Sequence, residues 1–159
     1  MQDLIHHIDC FSGLQQTNDN SIDVCITSPP FWALRNYDTE SIYGGNPYCN
    51  HTFDNKYCDN CGAWKGELGL EERPILYVEH LGTIFKEVQR VLKPNGALFV
   101  NIDDTYSSGT RAKGGGDKNV FDPKNPKVNR EVYAPNRMGC GIQDKSLCLI
   151  PELFIIEMQ

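Results

Sequence analysis

Two hydrophobic periods organise this chain. The run Val24-Cys25-Ile26, opened by Ile22 and closed by Thr27-Ser28-Pro29-Pro30, reads as a buried strand that has to stop, because proline offers no amide hydrogen to a ladder. From Pro74 the spacing becomes helical. Tyr77, Leu81, Ile84, Phe85, Val88, Val91 and Leu92 fall on one stripe, Pro74 suits a first turn, and Lys93-Pro94-Asn95-Gly96 ends the helix in a tight turn. Ala97 to Ile102 is again a continuous apolar run. Strand, long helix, turn and strand predict a right-handed βαβ unit, hence an α/β fold with a parallel sheet and helices on its faces. Shorter signals add a strand over Leu4 to Ile8, a helix over Phe11 to Gln16 with Asp9 as its N-cap, and a last helix from Pro151 to Met158. Ligands of open α/β sheets gather at the carboxyl ends of the strands, so Ser28 and the stretch Asn101 to Tyr106 should meet at one edge.

Residues 45–73 break this rhythm. The stretch carries Cys49, His51, Cys58 and Cys61 in the pattern C-x-H-x6-C-x2-C and has few apolar residues to fold around. Two close pairs of soft ligands joined by a short loop suit tetrahedral zinc, and four protein ligands make such a site structural. His80, on the long helix, reads as a surface or core-edge residue. The second strand ends in Asp103-Asp104, for which loop capping is a better reading than a metal site, since no third carboxylate has suitable spacing. Residues 107–144 are polar, hold Gly114-Gly115-Gly116 and several prolines, and show neither period, as a flexible loop does.

Composition changes the picture in four ways. With 159 residues the chain is long enough for one domain with its own core. No apolar run of about eighteen residues exists to span a membrane, and the N-terminus lacks the order of a signal peptide, which points to a cytoplasmic protein. The seven cysteines are an odd number, which argues against a disulfide framework. The net charge of -6 is uneven: Arg111 to Arg137 holds seven Lys/Arg against three Asp/Glu, a local +4, which is where a DNA contact would sit, the alternative being a solvated flexible loop whose charge is incidental.

The loop after the first strand, Ser28-Pro29-Pro30-Phe31-Trp32, is suited to chemistry on a flat polar ring. The Ser28 hydroxyl donates or accepts a hydrogen bond, the prolines fix the directions of their carbonyls, and Phe31 and Trp32 offer faces for a flipped base. The tetrapeptide SPPF resembles the [SDN]-P-P-[YFW] motif of the DNA amino-methyltransferases. The resemblance extends to DVCITSPPFWALRNY and to LYVEHLGTIFKEVQRVLKPNGALFVNIDDTY. It implies a Rossmann-like fold that transfers a methyl group from S-adenosylmethionine to the exocyclic amine of a base flipped from double-stranded DNA, in a prokaryote or phage with a restriction-modification system. Catalysis falls to Ser28, Pro29, Pro30 and Phe31, with Trp32, Asp104 and Tyr106 beside the base. Serine at the first motif position leans toward cytosine N4, with adenine N6 as the alternative.

In that family an acidic residue after an early strand lies beside the donor's adenosine. Asp9 occupies the position, but Ile8 stands where glycine is usual, and helix capping competes for it. The glycine-rich donor motif, of the Phe-x-Gly-x-Gly type, comes later in this arrangement and is not found here. The expectation is therefore an N-terminal catalytic part, 1–159, that lacks the donor-binding half and is completed by a C-terminal portion or a complementary chain. A non-catalytic, zinc-stabilised nucleic-acid-binding module is the competing class. A protein-glutamine methyltransferase is disfavoured, because its donor motif precedes the tetrapeptide and only 27 residues precede Ser28.

Overall fold

The computed structural model describes residues 4–107, 141–143 and 145–159. A parallel pair forms its centre: β1 (Ile22–Thr27) runs beside β6 (Leu92–Val100). The helix α2 (Pro74–Val91) makes the crossover between them. The expected strand–helix–strand unit is present, and the fold is α/β. Along the ladder Val24 faces Ala97, Ile26 faces Phe99 and Thr27 faces Val100, and the Asn101 amide extends it by donating to the Thr27 carbonyl at 2.9 Å.

The stripe read from the sequence is the buried face of α2. Tyr77, Val78, Leu81, Phe85 and Val88 are buried there with Trp32 and Leu68, and the partly buried Cys25, Leu98 and Val100 pack against them from the sheet. The last helix, α3 (Ile150–Glu157), lies across α2 with Phe154 edge-on to Phe85 at 4.9 Å. Its first turn holds a proline, as expected. The short α1 (Cys10–Gln15) adds Phe11 and Leu14 to the core, and Asp9 is its N-cap, accepting from the Ser12 amide at 3.0 Å.

Residues 41–66 form a separate antiparallel sheet, ordered β2 (Ser41–Tyr43), β5 (Trp64–Gly66), β4 (Tyr57–Cys58), β3 (Phe53–Asp54). It is fastened to α2 by a stack in which the His80 ring lies 5.1 Å from both Tyr43 and Trp64. His80 is therefore buried rather than at the surface or core edge, because two aromatic rings from this antiparallel sheet cover it.

Two other expectations are corrected. Leu4 to Ile8 form no strand; Leu4 and Ile5 are exposed, and no described strand offers their amides a partner. Lys93 to Gly96 do not separate helix from strand. Leu92 already pairs with Ile22, and the next register pair is Val24 with Ala97, so residues 93–96 are an excursion within β6. The polar stretch 107–144 lies almost wholly outside the described residues, and the basic segment Arg111 to Arg137 lies outside them entirely.

Arg90, in the last turn of α2, ties three elements together. Its guanidinium donates to the Leu14 carbonyl at 2.8 Å and the Thr17 carbonyl at 3.0 Å, and pairs with Asp19 and Glu87. Two carbonyls at the end of α1 thus receive a cation. Arg90→Met, which keeps the stem and removes the donors, should lower the midpoint of urea denaturation, because the carbonyls of Leu14 and Thr17 lose their donor.

Candidate functional site

The tetrapeptide sits where β1 ends, and its atoms divide into two sets. One set is tied down. The Pro30 carbonyl accepts from the Tyr77 hydroxyl at 2.7 Å, the Trp32 indole nitrogen donates to the Glu71 carbonyl at 2.9 Å, and the Ala33 amide donates to the Gly69 carbonyl at 2.7 Å. The other set is uncommitted: among the described residues the Ser28 hydroxyl and the Pro29 carbonyl have no hydrogen-bond partner. Ser28 is exposed and Phe31 half-buried. Trp32, expected as a second wall for a base, is instead 1 % exposed, because its indole is drawn under the loop to reach Glu71. Ala33 follows at φ 59, a left-handed conformation that a residue with a Cβ holds only under constraint.

What lies beneath the loop is the turn from Glu67 to Glu71. Gly69 has φ +92, and a Cβ there would lie 3.3 Å from the Phe31 carbonyl oxygen, from Pro30 Cβ and from the Pro30 carbonyl oxygen, so glycine is needed for both reasons. The Glu71 carboxylate is fully buried and fully engaged: Oε2 accepts from the Gly69 amide at 2.8 Å and Oε1 from His80 Nδ1 at 2.9 Å. Glu67 accepts from the Tyr37 amide at 2.6 Å and the Thr39 amide at 3.0 Å. Burial, and secondarily the Glu71 charge, push the Tyr77 phenol well above its ordinary range, so the hydroxyl stays a donor to Pro30 at any working pH.

The sequence had not marked these supporting residues. Nothing in the local pattern marks Glu67 or Glu71 for burial, and their one clue is the glycine between them. Asp104 and Ser28 are brought to the same carboxyl edge, as the topology requires, since Thr27 pairs with Val100. Asp104 is largely occupied: its carboxylate accepts from the amides of Thr105, Leu149 and Ile150, stapling the end of β6 to the start of α3. Asp103 accepts from the Asp104 amide, a capping role. Tyr106 is 59 % exposed and bridges to Leu147.

Cys49, His51, Cys58 and Cys61 converge in the antiparallel sheet, with their ligand atoms within 4.8 Å of one another. Cys49 Sγ lies 3.9 Å from Cys58 Sγ, and Cys61 Sγ lies 3.4 Å from His51 Nδ1. A tetrahedral ion with metal–sulfur bonds of about 2.3 Å needs sulfurs about 3.8 Å apart and nitrogen slightly closer, so the donor set fits one. Burial raises the Cys58 thiol, but hydrogen bonds from His51 and from the amides of Asn60, Cys61 and Thr52 outweigh it and bring the thiol down to about 6. Gly45, at φ +70, passes so close that a Cβ would meet Cys61 Sγ at 2.8 Å.

Comparison with known proteins bears directly on the loop. Residues 22–146 match the model of a family described as DNA methylase. The chain belongs to this family of DNA amino-methyltransferases. It is 30 % identical over 137 residues to the type II methyltransferase M.SfiI of Streptomyces fimbriatus, covering 86 % of this chain and 25 % of that protein. Against M.Cfr9I of Citrobacter freundii it is 32 % identical over 143 residues, 90 % of this chain and 37 % of the relative. With M.MwoI of Methanothermobacter wolfeii it shares 34 % identity over 100 residues, 63 % of this chain and 11 % of that protein. The methylase chain thus spans well under half the length of these relatives. No solved structure matches it significantly.

The four-ligand cluster makes a direct prediction. The protein should bind one tetrahedral divalent ion; loaded with cobalt(II) it should show the intense visible absorption of thiolate-ligated tetrahedral cobalt. Cys61→Ser should weaken that band and lower metal affinity at least about tenfold.

Proposed function

We propose that the enzyme containing this chain transfers a methyl group to the exocyclic amino group of a base flipped from double-stranded DNA. The observation that carries the reading is the division of the SPPF loop: the Pro30 carbonyl and Trp32 are fastened, while the exposed Ser28 hydroxyl and the carbonyl of the buried Pro29 have no hydrogen-bond partner among the described residues. Those two oxygens accept hydrogen bonds from the amine's N–H groups. Held in that way, the nitrogen's lone pair turns out of conjugation with the ring and becomes nucleophilic. Phe31 stacks on the base, and Trp32 works from below as the loop's anchor. S-adenosylmethionine, when bound, supplies an electrophilic methyl group. No covalent bond between enzyme and base is needed, so Cys10, Cys25, Cys140 and Cys148 have no role as nucleophiles. Ser28 at the first motif position favours cytosine N4 over adenine N6. Asp104 and Tyr106 border the same edge.

Asp9 is committed to capping α1, so we assign it at most the rim of a donor site. The other face of the parallel pair supports placing the donor site elsewhere in the enzyme. Val24, Ile26 and Phe99 are exposed on it, Ile26 at 78 %, whereas parallel strands are ordinarily covered on both faces. We propose that the rest of a Rossmann-like sheet, with the donor-binding part that the longer relatives have room for, packs there. We assign zinc to Cys49, His51, Cys58 and Cys61 as a structural ion, since all four positions are filled by protein. No described helix is long and apolar enough to cross a membrane.

The test is transfer of labelled methyl from S-adenosylmethionine to unmethylated DNA by the complete enzyme. Ser28→Ala should lower the rate at least about 100-fold. Absence of label with the wild-type enzyme and metal bound would favour the non-catalytic binding module.

A further inference from the structure

Methyl transfer as proposed makes no direct use of Glu71, His80 or Tyr77, yet all three are buried and polar and lie behind the reactive loop. Their arrangement answers a problem set by the sequence. Pro29 and Pro30 have no amide hydrogens, so this part of the loop cannot pin itself with its own donors. It has to be held through acceptors, or through the residues that follow.

The structure does both from one segment. Tyr77 holds the Pro30 carbonyl, the Glu71 carbonyl holds the Trp32 indole, and the Gly69 carbonyl holds the Ala33 amide. The Glu71 carboxylate closes the turn that presents these two carbonyls, by accepting from Gly69, and His80 holds the same carboxylate from the other side. With attachments at residues 30, 32 and 33, Ser28 Oγ and the Pro29 carbonyl are among the loop acceptors that no described residue engages. The interactions are short, and Glu71, Trp32 and the Tyr77 side chain are within 1 % of full burial, so water does not compete for them.

We infer that Glu71 and Tyr77 are positioning residues: they set the direction of the Pro29 carbonyl and the Ser28 hydroxyl toward the amine without touching the substrate. This rests on the methyl-transfer reading above. Its consequence is that deleting one phenolic oxygen, distant from the base, should slow the chemical step and leave DNA binding nearly intact.

The experiment compares Tyr77→Phe with Val78→Ala in the complete enzyme. Val78 is the buried neighbour on α2, and no hydrogen bond joins its side chain to the loop. Tyr77→Phe should lower kcat about 10- to 100-fold with KM for DNA little changed, whereas Val78→Ala should lower the unfolding midpoint at least as much and leave kcat unchanged. Glu71→Ala should behave like Tyr77→Phe, and Glu71→Gln, which retains an acceptor for Gly69, should restore part of the rate. Equal kcat in Tyr77→Phe and Val78→Ala would overturn the inference. A second readout does not depend on turnover: exchange of the Trp32 indole N–H with solvent, followed by NMR with nitrogen-labelled tryptophan, should accelerate in Tyr77→Phe. If the wild-type enzyme methylates no base, the methyl-transfer reading falls and this exchange decides alone. Acceleration supports a braced loop, and an unchanged rate overturns it.

Discussion

A loop made of two consecutive prolines is stiff but cannot anchor itself, and much of this structure follows from that constraint. β1 delivers Ser28 to the carboxyl edge of the sheet, and from there the chain has no amide to donate until Phe31. Fixing the loop therefore falls to groups far along the chain: a phenol on α2 and two carbonyls of the Glu67–Glu71 turn. The Glu71 carboxylate, costly to bury alone, is compensated by the Gly69 amide and His80. Gly69 is the point of closest approach, where any side chain would press on the Pro30 and Phe31 backbone.

The metal-ligand sheet is joined to this arrangement physically. Its strands are two or three residues long and bury little apolar surface of their own, which is the situation in which small folds rely on an ion. Trp64 and Tyr43 from that sheet enclose His80, whose other commitment is to Glu71. The insertion thus ends against the residue that supports the Glu67–Glu71 turn, and Gly66 leads directly into it.

The elements with strong periodicity were legible in the sequence. β1 ends at Thr27 because prolines end it, the stripe of α2 is the core, and α3 starts beside its proline. The convergence of Cys49, His51, Cys58 and Cys61 was legible from their spacing. Other features depend on tertiary partners that no local pattern reveals. Glu71 and His80 are polar residues whose burial is decided by each other and by rings 16 or more positions away. Trp32 looks like a stacking surface until Glu71 takes its indole nitrogen. Leu4 to Ile8 has strand-like residues and no described strand beside it, and Leu92 serves as a strand residue because Ile22 is there to pair with it.

As proposed, Ser28 and the Pro29 carbonyl act on an exocyclic amine. The most direct test of that role is mass spectrometry of nucleosides from DNA modified by the complete enzyme. The expected product is N4-methylcytosine, or N6-methyladenine if the base preference of the serine motif is relaxed. A methyl group on a ring carbon, as in 5-methylcytosine, would contradict it, because that chemistry requires a covalent nucleophile and leaves the amine-binding oxygens of the loop without a function.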